Sequence, residues 1–315
     1  MIQTDLCDLL GIQYPILQGG MAWVADASLA SAVSEAGGLG VIGAGNAPAD
    51  IVREEIRKLR ALTDKPFAVN IMLMNPFAED IARLVVDLKV PVVTTGAGSP
   101  GRFMDMWNEA KIKVIPVVAS VAYAMRVARQ GAFAVVAEGS EAGGHIGELT
   151  TMALIPQVAD SLSIPVIAAG GIADGRGVAA SLMLGASGVQ CGTCFLVAHE
   201  CTIHPYYKAR VLKARDIDTV ASGRRLGHPV RSLRSAFTHE YLKMENDPSV
   251  SPETLERFGE GALRLAVQEG DDMRGCFLSG QIAGLVKEEQ SAKAIIETMF
   301  QSAEQLLKGA PLWVR

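Results

Sequence analysis

The chain has no excess of positive charge: 29 lysines and arginines stand against 34 aspartates and glutamates, giving a formal net charge of −5 and a pI of about 5.6. That balance excludes a surface built throughout to hold nucleic acid. Long hydrophobic runs are missing too. The strongest, Ile112 to Met125, is broken by Lys113, Pro116 and Ser120. It falls short of the roughly 18–20 apolar residues that a membrane-spanning helix needs. Met1-Ile2-Gln3-Thr4-Asp5 lacks the basic start and apolar stretch of a signal peptide. Cysteine is scarce, and five in 315 residues is an odd number that does not make a disulfide scaffold. These absences predict a cytoplasmic protein that engages neither membrane nor nucleic acid.

What is present is apolar and regular. The composition is 49% hydrophobic with 32 glycines, which suits a parallel sheet covered on both faces. A short β-rich run, a small-residue loop and an amphipathic stretch recur roughly every 25 residues. The strand candidates are Pro15–Gln18, Leu39–Gly43, Phe67–Leu73, Pro91–Thr95, Val114–Val118, Phe133–Glu138, Pro165–Ala169 and Gly188–Cys191. Between them lie helix candidates such as Pro48–Leu62 (with an Ile51/Ile56/Leu59 stripe), Ala78–Leu88, Val121–Gln130 and Thr150–Ser161. Gly37, Gly131 and Gly185 stand where helix ends need a left-handed residue. Eight such units predict a (β/α)8 TIM barrel; an open sheet of the same elements is the alternative. After the eighth strand the rhythm stops. Residues 204–272 read as an irregular, partly helical insertion or lid packed on the barrel mouth. Residues 1–203 and 273–315 form the barrel, with Ser291–Leu307 as its closing helix.

Barrels of this kind carry their chemistry at the C-terminal ends of the strands. Those ends are rich in glycine: Gln18-Gly19-Gly20-Met21, Gly43-Ala44-Gly45-Asn46, Thr94-Thr95-Gly96-Ala97-Gly98, Glu138-Gly139-Ser140-Glu141-Ala142-Gly143-Gly144-His145, Gly170-Gly171 and Gln190-Cys191-Gly192-Thr193. Strand three adds Asn70, an amide in an apolar run. Glycine removes side chains where a flat ligand approaches the backbone. The loops after strands seven and eight, here Gly170-Gly171 and Gly192-Thr193, are where such barrels hold phosphate. A phosphate-bearing cofactor across the mouth is the expectation, with simple tight turns as the alternative.

Four stretches carry a resemblance: Pro15-Ile16-Leu17-Gln18-Gly19-Gly20-Met21-Ala22-Trp23, Val69-Asn70-Ile71-Met72-Leu73, Glu141-Ala142-Gly143-Gly144-His145-Ile146-Gly147 and Ala168-Ala169-Gly170-Gly171-Ile172-Ala173-Asp174-Gly175. With them the chain resembles the nitronate monooxygenase superfamily of flavin mononucleotide (FMN) barrels. Ile146, Leu149-Thr150-Thr151-Met152, Lys213 to Thr219 and Ser279 to Val286 make it most similar to the flavin-dependent enoyl-acyl-carrier-protein reductase II branch. Cysteine at positions 191 and 194 departs from that branch's usual pattern.

The resemblance implies FMN as cofactor and NADH or NADPH as co-substrate, with a monovalent cation allowed. Hydride passes by way of the flavin to the β-carbon of a trans-2-enoyl thioester on acyl carrier protein, and the α-carbon takes a proton. It implies a homodimer. It also implies that Asn70, Glu138 and Gly143 contact the ring or ribityl portion. Gly20, Met21 and Gly170 line the site, and Gly171, Gln190, Cys191, Gly192 and Thr193 hold the phosphate end. His145 is the candidate catalytic residue. It is the only histidine in a rim loop of the repeats, and an imidazole with a pKa near 6.5 can donate a hydrogen bond or a proton near neutral pH. The alternatives are a nitronate monooxygenase using FMN and oxygen, a non-catalytic flavin- or carrier-binding module, and a flavin-free phosphate-binding barrel.

Between Tyr206 and Ser235 stand Lys208, Arg210, Lys213, Arg215, Arg224, Arg225, Arg231 and Arg234 against Asp216 and Asp218, a local charge of 8 − 2 = +6. This strip is a candidate docking face for an acidic carrier protein. Two further motifs fall short of the sites they imitate. Gly96-Ala97-Gly98-Ser99-Pro100-Gly101 has the dinucleotide-binding spacing, but the next strand ends without the required acid. Cys191, Cys194, His199, Cys201 and His204 imitate a metal cluster, but strand alternation turns Cys191 and Cys194 apart, so no metal site is expected.

Overall fold

The computed structural model describes residues 1–310. Eleven strands occur in chain order: β1 (Ile16–Gln18), β2 (Gly40–Gly43), β3 (Phe67–Met72), β4 (Val92–Gly96), β5 (Lys113–Val118), β6 (Val135–Glu138), β7 (Gly144–His145), β8 (Val166–Ala169), β9 (Gly188–Cys191), β10 (Thr219–Ser222) and β11 (Val230–Leu233). Eight are parallel in the order β1-β9-β8-β6-β5-β4-β3-β2. A Leu17–Leu39 bridge closes the ring, with Gln18 N–H on Leu39 O at 3.0 Å and Leu39 N–H on Ile16 O at 2.9 Å. The Gln18 amide oxygen accepts from Val41 N–H at 3.1 Å and so extends the seam. The molecule is a TIM barrel.

The eight barrel strands match the sequence expectation within one or two residues. Strands buried on both faces must be apolar throughout, and such runs are visible without any periodicity. Alternation then divides their side chains. Leu17, Val41, Ala68, Val92, Val136 and Ile167 form the inner core, while Ile16, Val69, Val93 and Val135 pack against the surrounding helices. The helix Ala49–Leu62 buries Val52, Ile56 and Leu59; Ile51, expected in that stripe, is 51% exposed. Gly37, Gly131 and Gly185 have φ of 89°, 90° and 96°, the left-handed values their positions require. A short helix, Asp5–Leu10, was not expected from the sequence. Its Leu6 and Leu10 join the inner cluster and plug the bottom of the barrel. The last helix, Ala292–Gly309, lies along Gly175–Met183, and a Cβ at Gly175 would overlap the backbone of Ala303.

The insertion is partly helical, with Pro205–Lys213, Ala236–Glu245 and Pro252–Gly259, and it also contains the antiparallel hairpin β10–β11. Its hairpin takes β7 as a third strand, with Val230 opposite His145 and Arg231 opposite Gly144. Phe277 lies edge-on to Tyr207 at 5.0 Å and Leu278 bridges Ser232, so residues beyond 272 still pack on the insertion. No helix among the described residues is long and apolar enough to cross a membrane.

Candidate active site

Continuing the inward alternation to the C-terminal layer of the barrel brings Asn70 (two beyond Ala68), Thr94 (two beyond Val92), Glu138 (two beyond Val136) and Gln190 onto the inner face of the mouth. Asn70 and Thr94 are register partners, and the Asn70 amide donates to the Thr94 hydroxyl at 2.9 Å. That bond leaves the amide oxygen of Asn70 free to accept. Gly20 backs onto the same amide, and a Cβ there would overlap Asn70 Cβ. The Glu138 and Gln190 side chains make no hydrogen bond among the described residues. Surrounding protein desolvates the Glu138 carboxyl and pushes its pKa up to about 8, although part of the residue stays open to the mouth. At neutral pH it is a neutral acid that can both donate and accept.

The β8 and β9 loops supply a different chemistry. Gly170 and Gly171 are consecutive left-handed residues, with φ of 89° and 74°. The N–H groups of Gly171 and Gly192 have no acceptor among the described residues. Such free backbone donors are what a phosphate needs. The Thr193 hydroxyl accepts from Gly280 N–H at 2.9 Å, which ties this loop to the segment following the insertion. Met21 lies beside Gly192, where a Cβ would sit 3.4 Å from its sulfur. Gly143 presses on Ser279-Gly280, and a Cβ would come within 2.7 Å of Gly280 N. The rim is therefore a glycine-lined cradle with neutral polar groups at one part and free N–H donors at another, and it fits FMN.

His145 stands at the edge of this mouth on β7, not on a barrel strand. Ile146 N–H donates to Pro229 O at 3.0 Å and extends the pairing. The ring keeps a solvent-accessible face. Crowding by protein nonetheless lowers its pKa below the ordinary value of 6.5, and repulsion from His228 lowers it further. Arg264 of the insertion stacks 5.1 Å over Trp23 of the β1 loop; Trp23 has φ of 63°, an uncommon left-handed value for a bulky residue. The insertion thus touches the mouth at the β7 segment and at the β1 loop.

The Cys191 side chain points outward into the helix-facing core, and its backbone lies beside the phosphate loop, where its carbonyl accepts from Gly19 N–H at 2.8 Å. Two expectations need correction. Cys191 and Cys194 are not turned apart. The chain enters the 3-10 turn Thr193–Val197 directly after β9, strand alternation stops, and both thiols lie in the helix-facing core, where the neighbouring Cys194 thiol and burial raise the Cys191 pKa well above its usual range. Nor is the basic strip one open face. Arg225 donates to the carbonyls of Asp247 (2.9 Å) and Val250 (2.6 Å), and buried Lys208 donates to Ala198 O at 2.7 Å. Arg224, 57% exposed, faces Glu148 at 3.1 Å.

His228 was not singled out from the sequence, and Thr94, Arg231 and Glu141 were named there without these contacts; the Glu141 carboxylate accepts from Thr151 N–H at 3.0 Å and anchors the following helix. Thr219-Val220-Ala221-Ser222 and Val230-Arg231-Ser232-Leu233, flanked by Gly223 and Gly227, did carry a hairpin signal.

The family model described as nitronate monooxygenase matches residues 3–85 and 79–302. A probable nitronate monooxygenase of Staphylococcus saprophyticus is 34% identical, covering 97% of this chain and 99% of its own. The (3aS,4S,5R,7aS)-5-hydroxy-7a-methyl-1-oxo-octahydro-1H-indene-4-carboxyl-CoA dehydrogenase of Rhodococcus jostii is 38% identical over 96% of each. The structure of FabK from Thermotoga maritima superposes with a TM-score of 0.97 at 49% identity, covering 100% of both chains. With a TIM barrel, a glycine-lined mouth and relatives matched along their full length, this chain is an enzyme and belongs to the nitronate monooxygenase family.

Proposed function

We propose that this enzyme reduces trans-2-enoyl thioesters with NADH or NADPH, using FMN, and that its substrate arrives on acyl carrier protein. The observation that carries the reading is the full-length similarity to FabK at 49% identity. A relative named as a dehydrogenase of a coenzyme A thioester agrees with thioester chemistry. When bound, FMN supplies the two-electron carrier between nicotinamide and the enoyl β-carbon.

The chain's own residues orient, polarise and shield. Asn70 and Glu138 offer an acceptor and a neutral acid to the polar edge of the ring, and the Gly171 and Gly192 amides offer donors to the phosphate. As hydride reaches the β-carbon, negative charge grows on the thioester oxygen, and a fixed donor there lowers the barrier. His145, its pKa lowered below 6.5 by the surrounding protein, is mostly neutral at pH 7, and the neutral ring carries one N–H. A neutral donor suits polarisation of the carbonyl better than delivery of a proton from a standing imidazolium. Mass spectrometry of the product from crotonyl thioester and nicotinamide should show a gain of two hydrogens, and an unchanged thioester would remove the proposal. Oxidation of a nitronate with oxygen is the second reading, favoured by the family match and the staphylococcal relative.

A further inference from the structure

We propose that Arg231 is a positioning residue that clamps the Ser140–His145 loop and thereby fixes where His145 points. The inference rests on the reductase reading only for its kinetic consequences. The loop has little stiffness of its own, since Gly143 and Gly144 adjoin His145 and Gly144 sits at φ 80°. Strand β7 is two residues long and pairs with β11 alone. A ladder that short is marginal by itself. Arg231 holds the loop at a second place. Its backbone is the register partner of Gly144, while its guanidinium reaches back to the start of the loop, Nε donating to Ser140 O at 3.1 Å and Nη1 to Thr219 Oγ1 at 3.3 Å. One residue therefore grips both ends of the segment, and Thr219 on β10 steadies the grip.

The residue type matters. A guanidinium presents donors in a rigid planar fork, whereas a lysine supplies a single flexible point. The side chain is half-buried, and its Nε and one Nη1 donor are committed to Ser140 and Thr219. Its position in the basic strip disguises a structural task as a docking one.

The test uses the holoenzyme with Arg231→Met, which keeps the apolar stem, and Arg231→Lys. Amide hydrogen exchange is followed across the chain, and kcat and KM are measured with both a short thioester and a carrier-bound one. The clamp requires faster exchange confined to residues 140–146 and the β10–β11 hairpin. It also requires kcat to fall by about ten- to hundredfold on loss of the charged hydrogen bonds, equally for both substrates, with KM little changed. Arg231→Lys should recover part of the rate, and added guanidinium ion should partly rescue Arg231→Met. Unchanged exchange in 140–146 would overturn the clamp, as would acceleration spread over the whole barrel or a loss seen only with the carrier-bound substrate. If the wild-type enzyme reduces no enoyl thioester, the functional reading fails, and the exchange measurement still decides the clamp.

Discussion

The imidazoles of His145 and His228 lie 6.4 Å apart, centroid to centroid, tilted by 46°. One is held on β7 and the other just before β11, so the pairing of those strands sets their separation. Burial is the larger cause of the lowered His145 pKa and His228 the smaller. The acid limb of kcat/KM, which reports the free enzyme, should lie below the ordinary imidazole value of 6.5. In His228→Gln it should move upward but stay depressed, because the desolvation by surrounding protein remains. An acid limb that does not move, or moves down, contradicts this electrostatic coupling.

Glu138 leads to a stability prediction. Its carboxyl has a pKa near 4.5 in the unfolded chain and about 8 in the flavin-free fold. Between those values the folded state binds more protons than the unfolded one, so stability falls as pH rises across that window and levels off above it. Glu138→Gln removes the titration. The flavin-free variant should melt above wild type at pH 8 and show a shallower dependence between pH 5 and 8. Parallel melting curves for the two proteins would refute the assignment.

Gly20→Ala should weaken flavin retention by about five- to a hundredfold, the equivalent of roughly 1–3 kcal/mol of overpacking. The new Cβ would overlap Asn70 at its root, where no rotamer change relieves it. Flavin content per chain after purification gives the answer. A fully loaded Gly20→Ala enzyme would show that Asn70 does not set the floor of the site.

Much of this architecture can be read in the sequence because strands buried on both faces announce themselves as short apolar runs. The glycine-rich ends of those strands mark the mouth for the same local reason. What escaped was set by distant pairing or by short elements. The plug helix Asp5–Leu10 is too brief to show a helical period. Val52 rather than Ile51 faces inward because residues 52, 56 and 59 follow the i, i+4, i+7 spacing of one helix face, a local signal that the Ile51 stripe did not use. The Cys191–Cys194 contact arises where a strand becomes a 3-10 turn and alternation no longer applies. The roles of His228 and Arg231 depend on a register between β7 and β11 that nothing local encodes.

Arg224 provides the sharper test of a carrier-docking face, since Arg225 is committed to backbone carbonyls. Arg224 is exposed, and its pairing with exposed Glu148 adds little stability. Arg224→Glu should raise KM for a carrier-bound substrate by about tenfold while leaving a short thioester nearly unaffected. Equal effects on both substrates would remove the docking proposal.

An enoyl reductase on this barrel passes hydride from reduced nicotinamide to an enoyl thioester. The most direct measurement is anaerobic: NADH or NADPH is added to the purified enzyme while the flavin band is followed, and crotonyl thioester is then added. The expected result is prompt bleaching by at least one nicotinamide, followed by recovery on addition of the thioester. A band that nicotinamide leaves unchanged but a nitronate bleaches would contradict the claim and favour the monooxygenase.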